Sequence, residues 1–384
     1  MELQPFSINI PQLTLDDLRE RLIRTRWPDE VDDANWDYGT NRAYLQELVH
    51  YWHDVFNWRE QEAMLNQFHQ FKTTIYGFGI HFIHERGKGP NPIPILLTHG
   101  WPDSFLRMYK LIPLLTDPEK YGGRAEDSFD VVVPSIPGYG FSDRPREKGF
   151  TSGRVADLFT RLMTDSLGYS RFGAHGGDWG SSITEQLAFT HPASLIGIHL
   201  TDIPYHHLFT VKPEELTPEE QAYLKAGQAW QMQEGAYALI QSTKPQTLAY
   251  GLNDSPAGLL AWIIEKFQRW SDSDGVLERR FTKEELLTNA TIYWVTETIN
   301  SSIRLYYEAQ HQPPYSTTER TEVPFGIALF PKDLIPPPRT FADRFFNVQR
   351  WTTMPKGGHF AALEEPELLA KDIQSFFRPL RASS

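Results

Sequence analysis

Residues 176–180 of this 384-residue chain read Gly-Gly-Asp-Trp-Gly, and this short stretch limits the possible folds more than any other. A run that can end a strand precedes it, and apolar residues at helical spacing follow it through Ile183 and Leu187. Strand, very tight turn and helix in that order are typical of a nucleophile elbow, in which small residues on either side of the centre prevent side-chain clashes. The common form of this elbow carries serine at its centre. Here the centre is Asp178, a carboxylate, which can attack carbon directly and form an ester.

The acidic composition and the absence of cysteine narrow the classes of function. The formal net charge is -12 and no basic run compensates it, which argues against a nucleic-acid partner. The nearest approach to a membrane helix, residues 259–264, is far shorter than the ~18 apolar residues required, and the first residues do not read as a secretory signal. Zero cysteines exclude disulfides and thiolate metal sites. We therefore expect a cytoplasmic protein, monomeric or homodimeric, with no membrane anchor, metal or cofactor.

Short apolar runs bounded by turn residues predict a series of strands, with helical patterns between many of them. The predicted strands are 71–76, 80–84, 93–98, 130–134, a strand leading into the elbow, 194–200, 325–330 and 348–353. A turn at residues 77–79 would join the first two. Strands that alternate with helices imply a mostly parallel, doubly wound sheet, whose ligands bind at the carboxyl ends of the strands. The predicted fold class is therefore α/β.

The order of the predicted strands and helices divides the chain into four segments. The chain begins with a helical segment, where Thr14 and Asp17 resemble a capping box. A later stretch is helix-rich and aromatic, as expected for an inserted cap, and His206 and His207 at its entrance are interpreted as solvated loop histidines that could line the pocket. The segments are an N-terminal helical segment 1–70, a first core part 71–204, a helical cap 205–315 and a second core part 316–384.

A histidine and two candidate acids complete the chemistry that the elbow predicts. His359 lies in a loop between the last predicted strand and the last helix. It comes after the nucleophile and an intervening acid, which is the chain order of one large class of hydrolases. Asp333 follows a predicted strand and could orient the imidazole, and Asp202 is its main rival for that role.

An early strand runs into His-Gly-Trp-Pro at residues 99–102. The backbone N–H groups of Trp101 and Trp179 would then be placed to hold an oxyanion. The side chains of Trp101, Phe105 and Trp179, together with cap aromatics, are expected to wall an apolar pocket.

Taken in order, these motifs identify a resemblance to the microsomal-type epoxide hydrolases of the α/β-hydrolase superfamily. The likeness covers nearly the whole chain and includes the N-terminal helical segment. The matching motifs are His-Gly-Trp-Pro at 99–102, Pro-Gly-Tyr-Gly-Phe-Ser at 137–142, the elbow at 176–180, Asn-Asp-Ser-Pro at 253–256, Ser-Ser-Ile-Arg-Leu-Tyr-Tyr-Glu at 301–308 and Gly-Gly-His-Phe-Ala-Ala at 357–362. We expect no counterpart here of the membrane anchor that many animal members carry.

The resemblance implies an α/β-hydrolase fold with an inserted helical cap, and an activity that converts an epoxide to a vicinal diol. It implies that Asp178 is the nucleophile, Asp333 the charge-relay acid and His359 the base. Two cap tyrosines of the family hydrogen-bond the epoxide oxygen, and the matching positions are Tyr237 and Tyr306. A phenol suits this role because it is a neutral donor that does not titrate near pH 7. The implied partner is a small hydrophobic epoxide.

Two other functions remain open from the sequence. A haloalkane dehalogenase would share the fold, the Asp nucleophile and the His base, and Trp179 could contact the halide. A halide leaves without a proton, so the two cap tyrosines would then have no role. A non-catalytic binding protein of the same fold is the second alternative, and it suits a chain that has lost its nucleophile or base, whereas both are present here.

Overall fold

A computed structural model describes residues 2–312 and 320–383 of the chain. Its centre is one nine-stranded sheet. The strands are β1 Gln4–Phe6, β2 Gln70–Ile75, β3 Phe78–Glu85, β4 Ile93–Thr98, β5 Phe129–Pro134, β6 Phe172–Gly176, β7 Leu195–Leu200, β8 Pro324–Leu329 and β9 Asn347–Thr353.

The strands follow the order β1-β2-β3-β5-β4-β6-β7-β8-β9. The pairs from β1 to β3 and the pair β3–β5 are antiparallel, and every pair from β5 to β9 is parallel. Every residue of β5, β6 and β7 is buried, as parallel strands covered by helices on both faces require. The predicted mostly parallel sheet is therefore confirmed. All six parallel strands carry their carboxyl ends to one edge, where a site can form.

Fifteen helices cover the sheet or extend from it in the described part of the chain. They are α1 Gln12–Ile23, α2 Arg42–Asp54, α3 Trp58–Leu65, α4 Leu111–Thr116, α5 Ser152–Arg161, α6 Trp179–Thr190, α7 Pro218–Glu234, α8 Ala236–Thr243, α9 Pro245–Leu252, α10 Pro256–Trp270, α11 Lys283–Thr296, α12 Ile299–His311, α13 Arg339–Ala342, α14 Ala361–Glu364 and α15 Pro366–Phe377.

The N-terminal segment differs from its prediction in two places. Residues Gln4–Phe6 form a strand that pairs with β2, and a three-residue strand is too short to show a pattern. Helix α1 begins at Gln12, directly after Pro11, so Thr14 lies inside the helix and the predicted capping box is wrong. Helices α1, α2 and α3 contact α10 or α11, and Trp52 Nε1 donates to Thr291 Oγ1 at 3.0 Å. The segment thus packs on the helices that follow β7.

The β2–β3 turn is tighter than predicted. Strand β3 starts at Phe78, inside the expected 77–79 turn. Tyr76 and Gly77 both have positive φ, 51° and 84°, which matches the two-residue hairpin turn that suits the twist of an antiparallel pair.

Helices α7–α12 form an insertion between β7 and β8. It is helical as predicted, with no strand among its described residues. The predicted boundary at 315/316 lies outside the residues that the structure describes. The insertion leaves the core at the carboxyl end of β7 and returns at β8, so its helices lie over the edge of the sheet where the elbow is.

Candidate active site

Asp178 lies in the turn between β6 and α6, with a positive φ of 60°. This turn leaves no room for side chains beside it. A Cβ added to Gly176 would lie 2.2 Å from the carbonyl oxygen of Gly180, and one added to Gly100 would lie 2.4 Å from Cβ of Asp178. Only glycine fits at such approaches. The strand, tight turn and helix predicted around Asp178 are therefore present, and the backbone at Asp178 is strained.

The two carboxylate oxygens of Asp178 have different surroundings. Oδ1 accepts a hydrogen bond from the backbone N–H of Trp101 at 2.8 Å, whereas Oδ2 lies 3.4 Å from Nε2 of His359. The backbone N–H of Trp179 also interacts with the carboxylate. Burial raises the pKa of Asp178, but His359 and the two amides outweigh burial and lower the pKa below its ordinary value. Asp178 is therefore a carboxylate at neutral pH.

His359 connects Asp178 with Asp333. Its Nδ1 lies 2.7 Å from Oδ1 of Asp333, which follows β8, and the histidine itself lies in the loop after β9. Burial lowers the pKa of His359, but the charges of Asp333 and Asp178 outweigh burial and raise the pKa to about 10. The side chain of His359 is 2% exposed. In this structure the imidazole is thus a buried cation between two anions.

Asp202, the alternative candidate for orienting His359, contacts the elbow instead of the imidazole. Its Oδ1 accepts from the backbone N–H of Asp178 at 3.0 Å and from the hydroxyl of Ser181 at 2.5 Å. Burial and the nearby charge of Asp333 raise the pKa of Asp202 to about 7. Asp202 therefore braces the elbow, and Asp333 is the acid that accepts the hydrogen bond from Nδ1 of His359.

Tyr237 on α8 and Tyr306 on α12 bring two phenols to the same place from the inserted helices. Their ring centroids lie 5.9 Å apart. Tyr237 stacks parallel on Trp101 at 5.3 Å, and Tyr306 stands perpendicular to Trp179 at 4.9 Å. Burial, together with the charge of Asp178, raises the pKa of both tyrosines. Both side chains are neutral hydrogen-bond donors.

The ring of Phe105 lies apart from the two tyrosines and the two tryptophans. The ring lies 5.1 Å from His81 and 5.9 Å from Phe141, measured between centroids, and it is completely buried. Among the described ring contacts it has none with Trp101, Trp179 or the two tyrosines. The expectation that Phe105 walls the pocket stays a prediction without a contact in its support.

Sequence reasoning missed two buried side chains, Arg107 and Glu364, that hold the His359 loop. Arg107 is 2% exposed, forms an ion pair with Asp103 at 2.7 Å and donates to the backbone carbonyl of His359. Glu364 accepts from the backbone N–H groups that flank His359, Gly358 at 3.1 Å and Phe360 at 2.9 Å. The four-residue spacing of Asp103 and Arg107 could have indicated their pairing, but no local signal indicates a contact across 252 positions.

His206 and His207 were interpreted as solvated, and for His207 this is wrong. Its ring is completely buried against Phe345 at 3.9 Å, and Nε2 bonds to Oε1 of the buried Glu185 on α6. His206 Nε2 lies 3.7 Å from the other oxygen of Glu185. These three residues have the composition of a cation site. However, Glu185 and His207 already bond to each other directly, so we interpret them as an anchor between α6 and the start of the insertion.

Within residues 2–312 and 320–383, none of the helices combines the length and the apolarity that crossing a membrane requires.

Comparison with known proteins gives a consistent result over the whole chain. Residues 3–108 match the family described as the epoxide hydrolase N terminus, and residues 93–259 match the alpha/beta hydrolase fold. Epoxide hydrolase 1 of Sus scrofa is 38% identical over 97% of this chain and 88% of its own length.

Two solved structures are similar to this one over almost their full length. Juvenile hormone epoxide hydrolase from the silkworm Bombyx mori superimposes with a TM-score of 0.90 and 31% identity, covering 100% of this chain and 95% of that one. The epoxide hydrolase of Aspergillus niger gives a TM-score of 0.85 and 32% identity, covering 99% and 97%. On this similarity in sequence and in fold, the chain belongs to the epoxide hydrolase family of α/β-hydrolase proteins.

Proposed function

We propose that this chain hydrolyses a small hydrophobic epoxide to a vicinal diol through a covalent ester on Asp178. The observation that carries the proposal is the unequal surroundings of the two Asp178 oxygens. One oxygen is held by a backbone amide and the other is directed toward His359, with two neutral phenols beside the same carboxylate. A bound epoxide would then meet a nucleophile on one side and proton donors on the other.

In the first step, Oδ2 of Asp178 attacks one epoxide carbon as the bond from that carbon to the ring oxygen breaks. The single product is an ester that carries an alkoxide on the neighbouring carbon, and it becomes a hydroxyalkyl ester when that oxygen gains a proton. An alkoxide is a poor leaving group unless a donor stabilises it. Tyr237 and Tyr306 supply two O–H donors to that oxygen. Their raised pKa values keep both phenols protonated before the substrate binds.

In the second step, His359 activates water against the ester carbonyl. Forming the ester removes the negative charge of Asp178, which is one of the two charges that raise the pKa of His359. The imidazole can then lose its proton, as the alkoxide gains one, and it becomes a base. The oxyanion forms at the Asp178 oxygen beside the Trp101 amide, and breaking the ester bond releases the diol.

The dehalogenase alternative explains fewer of these features. A halide needs no proton when it leaves, so two buried phenols from separate helices would have no function beside Asp178. If the reaction is epoxide hydrolysis, both phenols have a function as proton donors.

The test uses purified protein with styrene oxide, a terpene epoxide and a fatty-acid epoxide, and 1-chlorobutane as the dehalogenase control. We expect a diol from at least one epoxide and no chloride release. His359→Gln should consume one equivalent of that epoxide and gain its mass on the peptide that contains Asp178. Wild type turned over in ¹⁸O-water should accumulate the label in the Asp178 carboxylate. An unmodified His359→Gln protein with an unlabelled wild type would refute the covalent mechanism.

The proposal includes a cytoplasmic location and a monomeric or homodimeric state. The sequence contains no cysteine, which suits a compartment where disulfides are rare. Cell fractionation checks the location, and light scattering after size-exclusion chromatography checks the assembly.

A further inference from the structure

Lys266 is a buried cation beside the proposed proton donors. It lies in α10 and is 5% exposed. Its Nζ is 4.8 Å from the ring centroid of Tyr237 and 5.6 Å from that of Trp270. Its carboxylate partner is the neighbouring Glu265. The ammonium group therefore lies against the ring of a tyrosine that is itself in contact with Trp101 and Tyr306.

This placement is not what packing alone favours. Lysine side chains normally extend until the ammonium reaches water, and burying the charge is unfavourable unless partners compensate it. An apolar side chain of similar length, such as methionine, would fill the same space without a charge. The partners here are one carboxylate and two aromatic faces, and a cation over an aromatic face is attracted to the negative π-cloud.

We propose that Lys266 is a positioning residue that strengthens Tyr237 as the proton donor to the opening epoxide. When a phenol donates to a developing alkoxide, negative charge grows on its oxygen and spreads into the ring. A cation at the ring interacts more strongly with this charged ring than with the neutral one, so it stabilises the transition state more than the ground state. The inference rests on the proposed function, since it requires Tyr237 to be a donor.

The local charges explain why such help is needed. Burial and the charges of Asp178 and Glu265 disfavour negative charge on the Tyr237 oxygen, and a hydrogen bond with Tyr306 favours it. A cation at the ring, which Lys266 supplies 4.8 Å from the centroid, favours negative charge there as well. The same burial and the same Asp178 act on Tyr306, but among the described residues no cation lies over its ring. Of the two tyrosines, Tyr237 is therefore the one whose donor strength depends on Lys266.

The experiment measures single-turnover rates of ester formation and ester hydrolysis in Lys266→Met and Lys266→Arg, each also combined with Tyr237→Phe or Tyr306→Phe. Lys283→Met is the matched control. Lys283 also places an ammonium over a tyrosine ring beside a carboxylate, with Nζ 5.4 Å from the ring centroid of Tyr51 and Glu47 as its partner.

We expect Lys266→Met to slow ester formation about tenfold, which lies within what one cation–π contact contributes. Lys266→Arg should recover most of that rate because it keeps the charge. Ester hydrolysis should stay within about twofold of wild type, as should both rates in Lys283→Met. The effect of Lys266→Met should disappear in the Tyr237→Phe background and persist in the Tyr306→Phe background.

Two outcomes overturn the inference while leaving the proposed function intact. One is a normal rate of ester formation in Lys266→Met when Tyr237→Phe is slow. The other is an equal loss in both tyrosine backgrounds, which indicates a packing defect. A wild-type rate in Tyr237→Phe itself would instead refute the donor role on which the inference rests. If Lys266→Met does not fold, Lys266→Gln replaces it, and the same two outcomes apply.

A second substrate gives an independent measurement. 3,3,3-Trichloropropylene oxide opens to a less basic alkoxide than propylene oxide, so it needs less help from a donor. Lys266→Met should therefore slow the trichloro substrate less than propylene oxide. Equal slowing of both would contradict the inference.

Discussion

The two sides of the site are held in place by different forces. On the core side, the charged residues make direct hydrogen bonds, such as the 2.7 Å contact between His359 and Asp333. On the cap side, Tyr237 and Tyr306 are neutral and are positioned by ring packing, with centroids 5.9 Å apart. The core side comes from loops at the ends of parallel strands, and the cap side from helices α8 and α12.

The difference follows from charge. A buried charge requires fixed hydrogen-bonding partners, whereas a neutral phenol can be positioned largely by apolar contacts. The two sides should therefore serve different half-reactions. Changes on the cap side should slow ester formation alone, and changes around His359 should slow ester hydrolysis. Asp178 belongs to both steps.

Removing the nucleophile should have the largest effect. Asp178→Asn keeps the size of the side chain and suits the positive φ of the elbow. It removes the attacking anion, so we expect diol formation to fall by about 10⁵-fold or more and no adduct to form. Product analysis by mass spectrometry measures the loss, with intact-protein mass to detect any reversion to aspartate. Turnover within 100-fold of wild type would contradict the role of Asp178, because the buried carboxylate would then be dispensable.

The two cap tyrosines should come next. Tyr237→Phe and Tyr306→Phe should each slow ester formation about 10²-fold, and the double variant about 10⁴-fold, because each change removes one donor to the alkoxide. Stopped-flow tryptophan fluorescence separates the steps.

A matched control is Tyr205→Phe, whose hydroxyl donates to the carbonyl of Gly227 and so lies in another hydrogen bond of the insertion. Its rate should equal that of wild type. A double variant as fast as wild type would remove the cap side from the chemistry and favour the dehalogenase alternative.

The orienting acid should produce a smaller loss, confined to hydrolysis. The charge of Asp333 holds His359 and raises the pKa of its imidazole, and Asp333→Asn removes that charge. Ester hydrolysis should therefore slow about 10³-fold while ester formation changes little. The covalent ester should then accumulate, as followed by quenched-flow mass spectrometry.

Asp202→Asn provides the contrast, because Asp202 contacts the elbow and not the imidazole. It should leave hydrolysis within about tenfold of wild type. Accumulation of ester in Asp202→Asn instead of Asp333→Asn would reverse the two assignments.

The pH dependence of the two steps tests the same difference without a mutation. The pKa of His359 is about 10 beside the Asp178 carboxylate and should be lower once that carboxylate is esterified. Hydrolysis needs neutral imidazole, so its rate should rise with pH, up to tenfold per unit, until the pH passes the lowered pKa. The pKa of Asp178 is below its ordinary value, so ester formation should stay flat from about pH 6 to 9.

Single-turnover traces across this range give both rates. In Asp333→Asn the hydrolysis profile should move to lower pH, since one of the two raising charges is gone. A flat hydrolysis rate together with a rising rate of ester formation would contradict the assignment of the two steps to the two sides.

Local patterns were sufficient for most of the architecture. Six of the seven strands predicted with bounds reappear within one residue at each end, and the strand leading into the elbow is present as β6. The exception is β3, which starts two residues earlier than predicted because Tyr76 adopts a positive φ that its residue type does not predict. The elbow could be predicted from the sequence because the small residues that it requires are close together along the chain. Asp178 and the glycines at 176 and 180 lie within five residues of each other, and close backbone approach leaves glycine as the one residue that fits.

Contacts between distant residues required the folded chain. The sequence offered two acids for one histidine, and the fold brings Asp333 to His359 and leaves Asp202 under the elbow. From the sequence we interpreted His207 as solvated, whereas in the fold its ring is buried and bonds to Glu185.

The strand–turn–helix around Asp178, the succession of strands and the helical insertion follow from local sequence, since each depends on neighbours along the chain. Which charges meet follows only from the folded chain. No sequence motif predicts the contact of Arg107 with the His359 carbonyl or the contact of Lys266 with the ring of Tyr237. The physical reason is that a buried charge is defined by its surroundings, and these are assembled from segments up to 252 positions apart.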